Sequence, residues 1–510
     1  MTTRTRLTII AAVLAAAAIL AVVVTWQVVD RQQWEAPRPT GESVDAPLAR
    51  FYEQDLTWQD CGPAQCTKVT VPIDYADPSA ETLTLAVRLY PAEKGSAARS
   101  IFVNPGGPGG SAIDYAASMS RQFGSTVTDM YDVVGVDPRG VGESTPLECL
   151  SDRQFDAFTE TDPDPDDPGE VTALRQSVSD LGEACQQQSG ALAAHVSTEE
   201  AARDMDVVRA LLGRTTFDWF GASYGTQLGA TYANLFPQRV GRMVLDGAVD
   251  PLESSIEASL GQATGFQRAF DAYAEACIAQ GDCPLGSSVI EARQAATDLL
   301  DRLDSQPLKT TGDRVLTEGQ AFYGLALPLY DEQSWPVLTQ ALTQALEASD
   351  GTVLLALSDA YFSRQSDGRY ADNIGQVIYA VTCLDSADAP DIDTVRAALP
   401  DFVQASPVFG RALGWGAFGC TDWPIKPTTP QGAVPAKGAA PIVVIGTTRD
   451  PATPYESAVE LADQLESGVL LTREGDGHTA YSSGNQCITQ AVDAYLVKGT
   501  VPKDGTICAE

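Results

Sequence analysis

The sequence feature that most constrains the fold is the pentapeptide Gly221-Ala-Ser-Tyr-Gly225. It fits the G-x-S-x-G pattern of a nucleophile elbow, in which a serine projects from a sharp turn between a strand and a helix. Small residues two positions before and after the serine let the backbone close this turn without a side-chain clash. An aromatic-rich run from Phe217 precedes the motif, and a helical run follows it to Phe236, before Pro237. The pattern predicts Ser223 as a nucleophile beside the positive end of a helix.

Strand and helix patterns alternate on both sides of this motif. Strands are predicted at 66–73, 83–89, 101–104, 131–136, 217–222, 242–246, 441–446 and 468–471. Such alternation predicts an α/β fold, with a mostly parallel sheet and helices on both faces. Helical patterns dominate from 252 to 431, at 258–280, 287–304, 318–330 and 335–348. We therefore expect a core formed by 58–251 and 432–510, with 252–431 as a helical lid.

A glycine-rich loop, Asn104-Pro-Gly-Gly-Pro-Gly-Gly-Ser111, directly follows a predicted buried strand. The tetrahedral intermediate of acyl transfer needs two or more N–H donors aimed at its oxyanion. Because proline has no N–H, only the glycines and Ser111 can donate from this loop. We predict that the backbone N–H groups of Gly107 and Tyr224 form the oxyanion hole.

A nucleophilic serine needs a base within hydrogen-bond reach, and histidine suits neutral pH. The sequence contains two histidines, His195 and His478. His195 precedes the serine, just ahead of a helix that Ser197-Thr-Glu-Glu200 begins as a capping box, so we expect it on the surface. His478 lies in a glycine-flanked loop after the last predicted strand. Since the order Ser, Asp or Glu, His is typical of this elbow architecture, His478 is the predicted base.

The acid partner of His478 is predicted to be Asp450, at the end of a buried strand and one βα unit earlier. Two alternatives remain open. Asp246 also ends a strand, and Asp476 lies only two residues before His478, which is too close for a comfortable orientation of the ring.

The charge balance excludes one class of function. Lysine and arginine total 33 against 68 acidic residues, a formal net charge of −35. Phosphate backbones would be repelled, so nucleic-acid binding is not expected. Two interpretations of this negative charge remain open. It keeps the protein soluble, or it attracts a cationic end of the substrate such as the free amine of a peptide.

Ten cysteines occur as neighbouring pairs, which favours disulfides in an exported chain: Cys61/Cys66, Cys149/Cys185, Cys277/Cys283, Cys383/Cys420 and Cys487/Cys508. A zinc site is not expected, because only two histidines and no C-x2-C pair exist. Between the second pair lies the acidic, proline-broken segment 161–169. We expect a solvated loop there, and a calcium site is the alternative, since its aspartates cluster. No metal or cofactor is predicted for the catalytic site.

The chain begins with Arg4 and Arg6 before an apolar run from Leu7 to Val29. About 20 apolar residues span a bilayer, whereas a cleaved signal has a core of about 7–15. We favour an uncleaved signal anchor at 1–30, with cleavage as the alternative; either exports the remaining chain. Residues 31–57 are polar and proline-containing, and are expected to form a tether.

The motifs together resemble the secreted and cell-envelope α/β-hydrolases of the tripeptidyl aminopeptidase family, relatives of prolyl aminopeptidases. The matching pieces are the Asn104–Ser111 loop, Gly135-Val-Asp-Pro-Arg-Gly140, Gly221-Ala-Ser-Tyr-Gly-Thr226, Leu245-Asp-Gly247, Asp450-Pro-Ala-Thr-Pro454 and Gly475-Asp-Gly-His478. The resemblance implies an α/β-hydrolase fold, a peptide substrate, and Ser223, Asp450 and His478 as the triad. It also implies that Thr453 helps to hold Asp450.

An aminopeptidase also needs a carboxylate for the substrate's ammonium group, and we assign this role to Asp385 in the lid. An envelope esterase or acyl transferase with the same triad is the alternative function. A non-catalytic binding protein is the third, although such proteins usually have a broken triad. The sequence does not predict an oligomeric state.

Overall fold

The computed structural model describes residues 34–94, 99–386, 388–427 and 432–509. Within these ranges a ten-stranded sheet forms the centre of the protein. Its strands, together with the short hairpin β8–β9, are β1 Gln59–Cys61, β2 Ala64–Pro72, β3 Thr82–Tyr90, β4 Arg99–Asn104, β5 Tyr131–Val136, β6 Phe217–Ala222, β7 Val240–Asp246, β8 Leu308–Lys309, β9 Val315–Leu316, β10 Ile442–Arg449, β11 Gly468–Asp476 and β12 Thr506–Cys508.

The strand order in the sheet is β1-β2-β3-β5-β4-β6-β7-β10-β11-β12. The first three strands are antiparallel to their neighbours, and the strands from β5 to β12 run parallel. The register aligns Asn104 with Gly221, and Ala222 with Asp246. The carboxyl ends of β4, β6 and β7 therefore meet at one edge, where ligands bind in open α/β sheets. The predicted α/β-hydrolase fold is confirmed.

The helices of the described residues are α1 Ala49–Tyr52, α2 Ala112–Gln122, α3 Ser125–Thr128, α4 Asp152–Thr159, α5 Pro168–Ser189, α6 Thr198–Leu211, α7 Tyr224–Leu235, α8 Ser255–Gln280, α9 Val289–Ser305, α10 Glu318–Ala326, α11 Trp335–Glu347, α12 Thr352–Tyr361, α13 Ile374–Asp385, α14 Ile392–Ala405, α15 Gly410–Gly416, α16 Tyr455–Gln464 and α17 Gln486–Lys498. Short 3-10 helices occupy Gly190–Ala194, Pro237–Arg239, Leu327–Tyr330, Glu332–Ser334 and Tyr481–Ser483.

Alternating side chains of the central strands enter two different cores. On β4, Phe102 packs into one hydrophobic cluster, whereas Ile101 and Val103 pack into another. On β10, Val444 and Val443 divide in the same way. Because successive residues of a strand point to opposite faces, both faces of the sheet are buried under helices.

In the sequence, helices α8 to α15 and the hairpin β8–β9 come between β7 and β10. We call this region the cap. The cap has a hydrophobic cluster of its own, which includes Phe266, Leu299, Leu338 and Phe409. The hairpin was not predicted, and neither were the individual helices α12 to α15. The cap therefore has a core of its own beside that of the sheet.

The predicted tether at 31–57 is described from Trp34 onward, and this part contacts the core. The Trp34 ring packs edge-on against Trp58 at 5.2 Å, and Thr40 N donates to Ala210 O. Tyr52 is buried, and its hydroxyl donates to Asp206 Oδ2. Aromatic residues thus attach this proline-containing stretch to the core.

All five cysteine pairs form disulfides between sequence neighbours, as predicted. Within the described ranges, no helix combines the length and apolar character that a membrane crossing requires. The predicted signal anchor at 1–30 lies outside the described residues.

Candidate active site

Ser223 occupies the turn between β6 and α7 in a backbone conformation that L-residues rarely adopt. Its φ is 56° and its ψ is −129°. Its neighbours explain the two glycines of the motif: an ideal Cβ at Gly221 would lie 2.1 Å from Gly225 O, and one at Gly225 would lie 2.7 Å from Asn104 O. A strained backbone conformation such as that of Ser223 persists only where the surrounding structure enforces it, and such conformations cluster at functional sites.

Hydrogen bonds hold the Ser223 backbone on both sides. Its N–H donates to Asp246 O at 2.9 Å, and its carbonyl accepts from Thr226 N at 2.8 Å and Thr226 Oγ1 at 2.6 Å. The first bond ties the elbow to the end of β7, and the others begin α7. The serine is therefore fixed at the carboxyl edge of the sheet.

The structure brings His478 and Asp450 into direct contact. His478 Nδ1 lies 2.9 Å from Asp450 Oδ1 and 3.0 Å from Asp450 Oδ2. Such a contact on Nδ1 places the proton there, so that Nε2 is left with a lone pair. Burial lowers the pKa of His478, but the charge and hydrogen bond of Asp450, with the charge of Asp246, outweigh it and raise this pKa above its usual value.

The Asp450 carboxylate is itself held by the backbone. It is 2% exposed and accepts from the N–H groups of Ala452 at 3.0 Å, Thr453 at 2.9 Å and Thr479 at 3.1 Å. Thr453 Oγ1 also lies 3.3 Å from His478 Nδ1. Thr453 thus contacts both members of the pair, the position that its motif suggested.

Asp246 and Asp476, the alternative acids, have other partners. Asp246 accepts from the N–H groups of Ala480 and Tyr481, both at 2.9 Å. Asp476 binds the Arg449 guanidinium, with Nε at 2.6 Å. Burial raises the pKa of Asp246 to about 6, although the two backbone bonds lower it.

Asp246 links the histidine loop to the serine turn, a role that the sequence did not indicate. Its carbonyl accepts from Ser223 N, and its carboxylate accepts from the residues that follow His478. An ideal Cβ at Gly247 would lie 3.3 Å from His478 Cε1, so the imidazole stands against this strand end. Within the described part of the chain the His478 ring bonds only through Nδ1, and no hydrogen bond joins it to Ser223 Oγ.

The glycine loop lies directly against the elbow. An ideal Cβ at Gly106 would lie 2.7 Å from Ser223 Cβ and 2.8 Å from Tyr224 N. Gly106 N donates to Asn104 Oδ1 at 2.9 Å, whereas Gly107 N has no acceptor among the described residues. Tyr224 N belongs to the first residue of α7, where a helix offers no internal acceptor.

Asp385, the predicted partner of a substrate amine, is almost completely buried. It is 5% exposed, and Oδ1 accepts from Thr198 N at 2.9 Å while Oδ2 accepts from Thr198 Oγ1 at 2.5 Å. Burial raises the pKa of Asp385 to about 7, against the lowering effect of the Thr198 bonds. Both oxygens of Asp385 accept hydrogen bonds from Thr198, and its contact with a substrate ammonium stays a prediction.

The cap contributes to the site through its backbone. Tyr330, at the end of a 3-10 helix, accepts from His478 N at 2.8 Å, and its ring meets the imidazole edge-on at 5.4 Å. On α13, Ile374 and Val377 lie so close to Gly109 that an ideal Cβ there would fall within 3.1 Å of both. The cap therefore covers both the glycine loop and the histidine loop.

His195 is partly buried rather than fully on the surface. Its Nδ1 lies 2.8 Å from Glu200 Oε1, and this hydrogen bond raises the pKa of His195 despite some burial. Ser197 accepts from Glu200 N, but the reciprocal half of the predicted capping box is missing because the Glu200 carboxylate binds His195. His195 O accepts from buried Arg139, so this segment is structural.

Fold and site point to one class of protein. A strained serine on one loop and a carboxylate-bound histidine on another, at the carboxyl edge of a parallel sheet, are typical of α/β-hydrolases that use a serine. The protein is a serine hydrolase of this class.

Comparison with known proteins narrows the class to a family. The chain is 38% identical to serine protease Hip1 of Mycobacterium tuberculosis over 89% of this chain and 91% of that protein. It is 41% identical to carboxylesterase B of the same organism, covering 88% and 86%. It is 31% identical to tripeptidyl aminopeptidase of Streptomyces lividans, covering 90% and 88%. Residues 406–508 match the family described as TAP-like protein. The chain belongs to the tripeptidyl aminopeptidase family of α/β-hydrolases, as its motifs predicted.

Proposed function

We propose that the protein is an exported serine peptidase that cleaves peptide bonds near a free N-terminus, with Ser223, His478 and Asp450 as its triad. The observation that carries this proposal is the contact between both Asp450 oxygens and His478 Nδ1, at 2.9 and 3.0 Å. It orients the imidazole with Nε2 as the base, which is what a serine nucleophile requires.

In the proposed reaction Ser223 Oγ attacks the substrate carbonyl carbon while His478 Nε2 takes the hydroxyl proton. The backbone N–H groups of Gly107 and Tyr224 receive the oxyanion. His478 then gives its proton to the leaving amine, the acyl-enzyme forms, and water hydrolyses it by the same steps. The raised pKa of His478 reflects how Asp450 stabilises the imidazolium of each step.

Two features support a peptide substrate. Relatives over most of the chain are named serine protease Hip1 and tripeptidyl aminopeptidase. The formal net charge of −35 favours the approach of a substrate that has a cationic end. Carboxylesterase activity is the second candidate, because a relative at 41% identity bears that name.

A substrate panel tests the proposal. We expect hydrolysis of tripeptide amides with a free N-terminus, slower turnover of their N-acetylated forms, and weak activity on simple acyl esters. Faster turnover of acyl esters than of every peptide amide would instead establish the esterase function.

The Ser223→Ala protein should lose turnover by roughly 10⁶-fold on all of these substrates, if the triad acts as a unit. Ser349→Ala is a matched control, because Ser349 has a similar φ of 52° at an exposed position. Near-normal turnover by purified, folded Ser223→Ala would contradict the assignment of the nucleophile.

Export is supported by the apolar run 7–29 and by five disulfides in the described residues. We expect the protein outside the cytoplasm, and an uncleaved signal anchor would leave it in the membrane fraction. N-terminal sequencing of the mature protein distinguishes the anchor from a cleaved signal. Recovery of reduced protein in the cytoplasm would contradict export.

A further inference from the structure

Carboxylate side chains of the 161–169 segment and of the cap lie close together, and none of them belongs to the active site described above. One oxygen each of Asp162, Asp164 and Glu318 lie within 4.8 Å of one another. Asp162 also lies in a second group of the same dimensions with Glu170 and Asp304. One side of this loop contacts the start of α10, where an ideal Cβ at Gly319 would lie 2.5 Å from Thr161 O, while Asp166 and Asp167 are exposed as a solvated loop predicts.

Glu318 distinguishes this cluster from acidic groups on a solvated surface. The residue is 4% exposed, and its Oε2 is buried without a hydrogen-bond partner among the described residues. A small cavity of about 10 Å³ is lined by Asp164 and Glu318, close to the room that one water needs, about 10–15 Å³. Burial of an ionised carboxylate without a donor or cation costs several kcal/mol, so the oxygen requires a neutralising partner.

Among the described residues, no arginine or lysine donates a hydrogen bond to Glu318 Oε2, although Arg411 lines the same cavity. Arg411 Nε lies 2.8 Å from Asp164 Oδ2, and the same guanidinium also binds Asp301. The single guanidinium of Arg411 is therefore shared between Asp164 and Asp301. Burial, followed by the charges of neighbouring carboxylates, raises the pKa of Glu318 to about 9; burial likewise raises that of Asp164 to about 7, although Arg411 lowers it. A bound proton is therefore the alternative to a cation as the neutralising partner of this pair.

We propose that Asp162, Asp164 and Glu318 bind one calcium ion that joins the 161–169 loop to the cap. Calcium takes oxygen ligands at about 2.3–2.6 Å, so two ligands of one ion lie at most about 5.2 Å apart. The separations within 4.8 Å satisfy this limit. All the candidate ligands are oxygens, which suits calcium and disfavours zinc or copper. Glu170 and Asp304 add charge on the other side of Asp162.

The ion would connect two separate parts of the chain. Asp162 and Asp164 follow α4, and Glu318 is the first residue of α10. Ligands far apart in sequence are brought together only in the folded state, so calcium binds the folded protein and stabilises it.

Calorimetric titration of chelator-treated full-length protein with CaCl2 tests the proposal. We expect about one saturable site with a dissociation constant of about 10⁻⁴ M, in the range of extracellular calcium modules. At 10 mM CaCl2 such a site would raise Tm by about 3 °C. NaCl at matched ionic strength should not reproduce the shift.

The variants Glu318→Gln and Asp162→Asn should each lose saturable binding and the Tm shift. Glu347→Gln is the matched control, an exposed cap glutamate at the end of α11 that should leave both unchanged. Unaltered binding in both variants would overturn the proposal by placing the ion elsewhere on the acidic surface.

A shared proton is the competing way to neutralise the Asp164–Glu318 pair. Carboxyls whose pKa is raised by folding bind more protons in the folded state, so stability is lost as pH rises. A wild-type Tm that falls between pH 6 and 9 with no response to CaCl2 would overturn the calcium proposal in favour of that proton.

Discussion

The substitution Gly106→Ala tests whether the glycine loop and the elbow fit as closely as the structure shows. Gly106 has a φ of +97°, and an added methyl would lie 2.7 Å from Ala222 O, 2.7 Å from Ser223 Cβ and 2.8 Å from Tyr224 N. Ordinary contact begins at 3.4 Å, so the loop must retreat by roughly 0.7 Å. The retreat carries the adjacent Gly107 N–H away from the position proposed for the oxyanion.

The expected loss follows from that displacement. A 1 Å misplacement of a reacting group costs about 10²-fold in rate, and loss of one oxyanion donor costs about 10²–10³-fold. We therefore expect kcat/KM for a tripeptide amide to fall by about 10²-fold, equivalent to about 2.7 kcal/mol. Most of the loss should appear in kcat, because the oxyanion forms after substrate binds.

Gly484→Ala separates the steric clash from backbone strain. Gly484 has a similar φ of +87°, but no heavy atom lies within 4 Å of its ideal Cβ. This control should cost about 1–2 kcal/mol of stability for a positive φ and leave kcat/KM unchanged. A folded Gly106→Ala enzyme with normal kcat/KM would refute the proposed position of the loop in catalysis.

Two further substitutions test the remaining parts of the structure. Asp450→Asn removes the charge that raises the pKa of His478, so the acid limb of the kcat/KM–pH profile should move to lower pH while kcat falls by about 10⁴-fold; an unmoved limb would contradict the pairing. Arg139→Met leaves buried Asp204 without its guanidinium, which lies at 2.8 Å, and should destabilise the fold by about 3–5 kcal/mol in urea titration. The control Arg175→Met, at an exposed ion pair, should cost less than about 1 kcal/mol.

The elbow and the strands beside it were predictable because their requirements are local. Gly221, Ser223 and Gly225 are placed by one turn, and a five-residue pattern records that turn. The all-buried strands β5 and β6 are apolar apart from Asp132 and Asp218, a composition typical of parallel strands covered on both faces. Neighbouring cysteines also paired as expected, across separations from 5 residues for Cys61–Cys66 to 37 for Cys383–Cys420.

Other contacts left no signal in the sequence. Asp246 ends β7 and Asp450 directly follows β10, so strand position alone left both open as the partner of His478; the structure has Asp450 at the ring and Asp246 at backbone amides. Tyr330 contacts His478 through a backbone carbonyl, which any residue possesses. The hydrogen bonds from Thr198 to Asp385 were not predictable either, because they join α6 to α13, which lie far apart in the sequence.

The cap helps to hold His478 in position, because Tyr330 of the cap accepts a hydrogen bond from the His478 amide. Asp450 fixes the ring of His478, and Asp246 fixes the two amides of Ala480 and Tyr481, but the amide of His478 itself is held by Tyr330 of the cap. Tyr330 ends the 3-10 helix that directly continues α10, and α10 begins at Glu318. A cation bound at Glu318 would therefore restrain one end of a segment whose other end positions the imidazole. The stability of the cap and the position of His478 are linked through residues 318–330. A change at either end of this segment should therefore alter the position of the His478 ring.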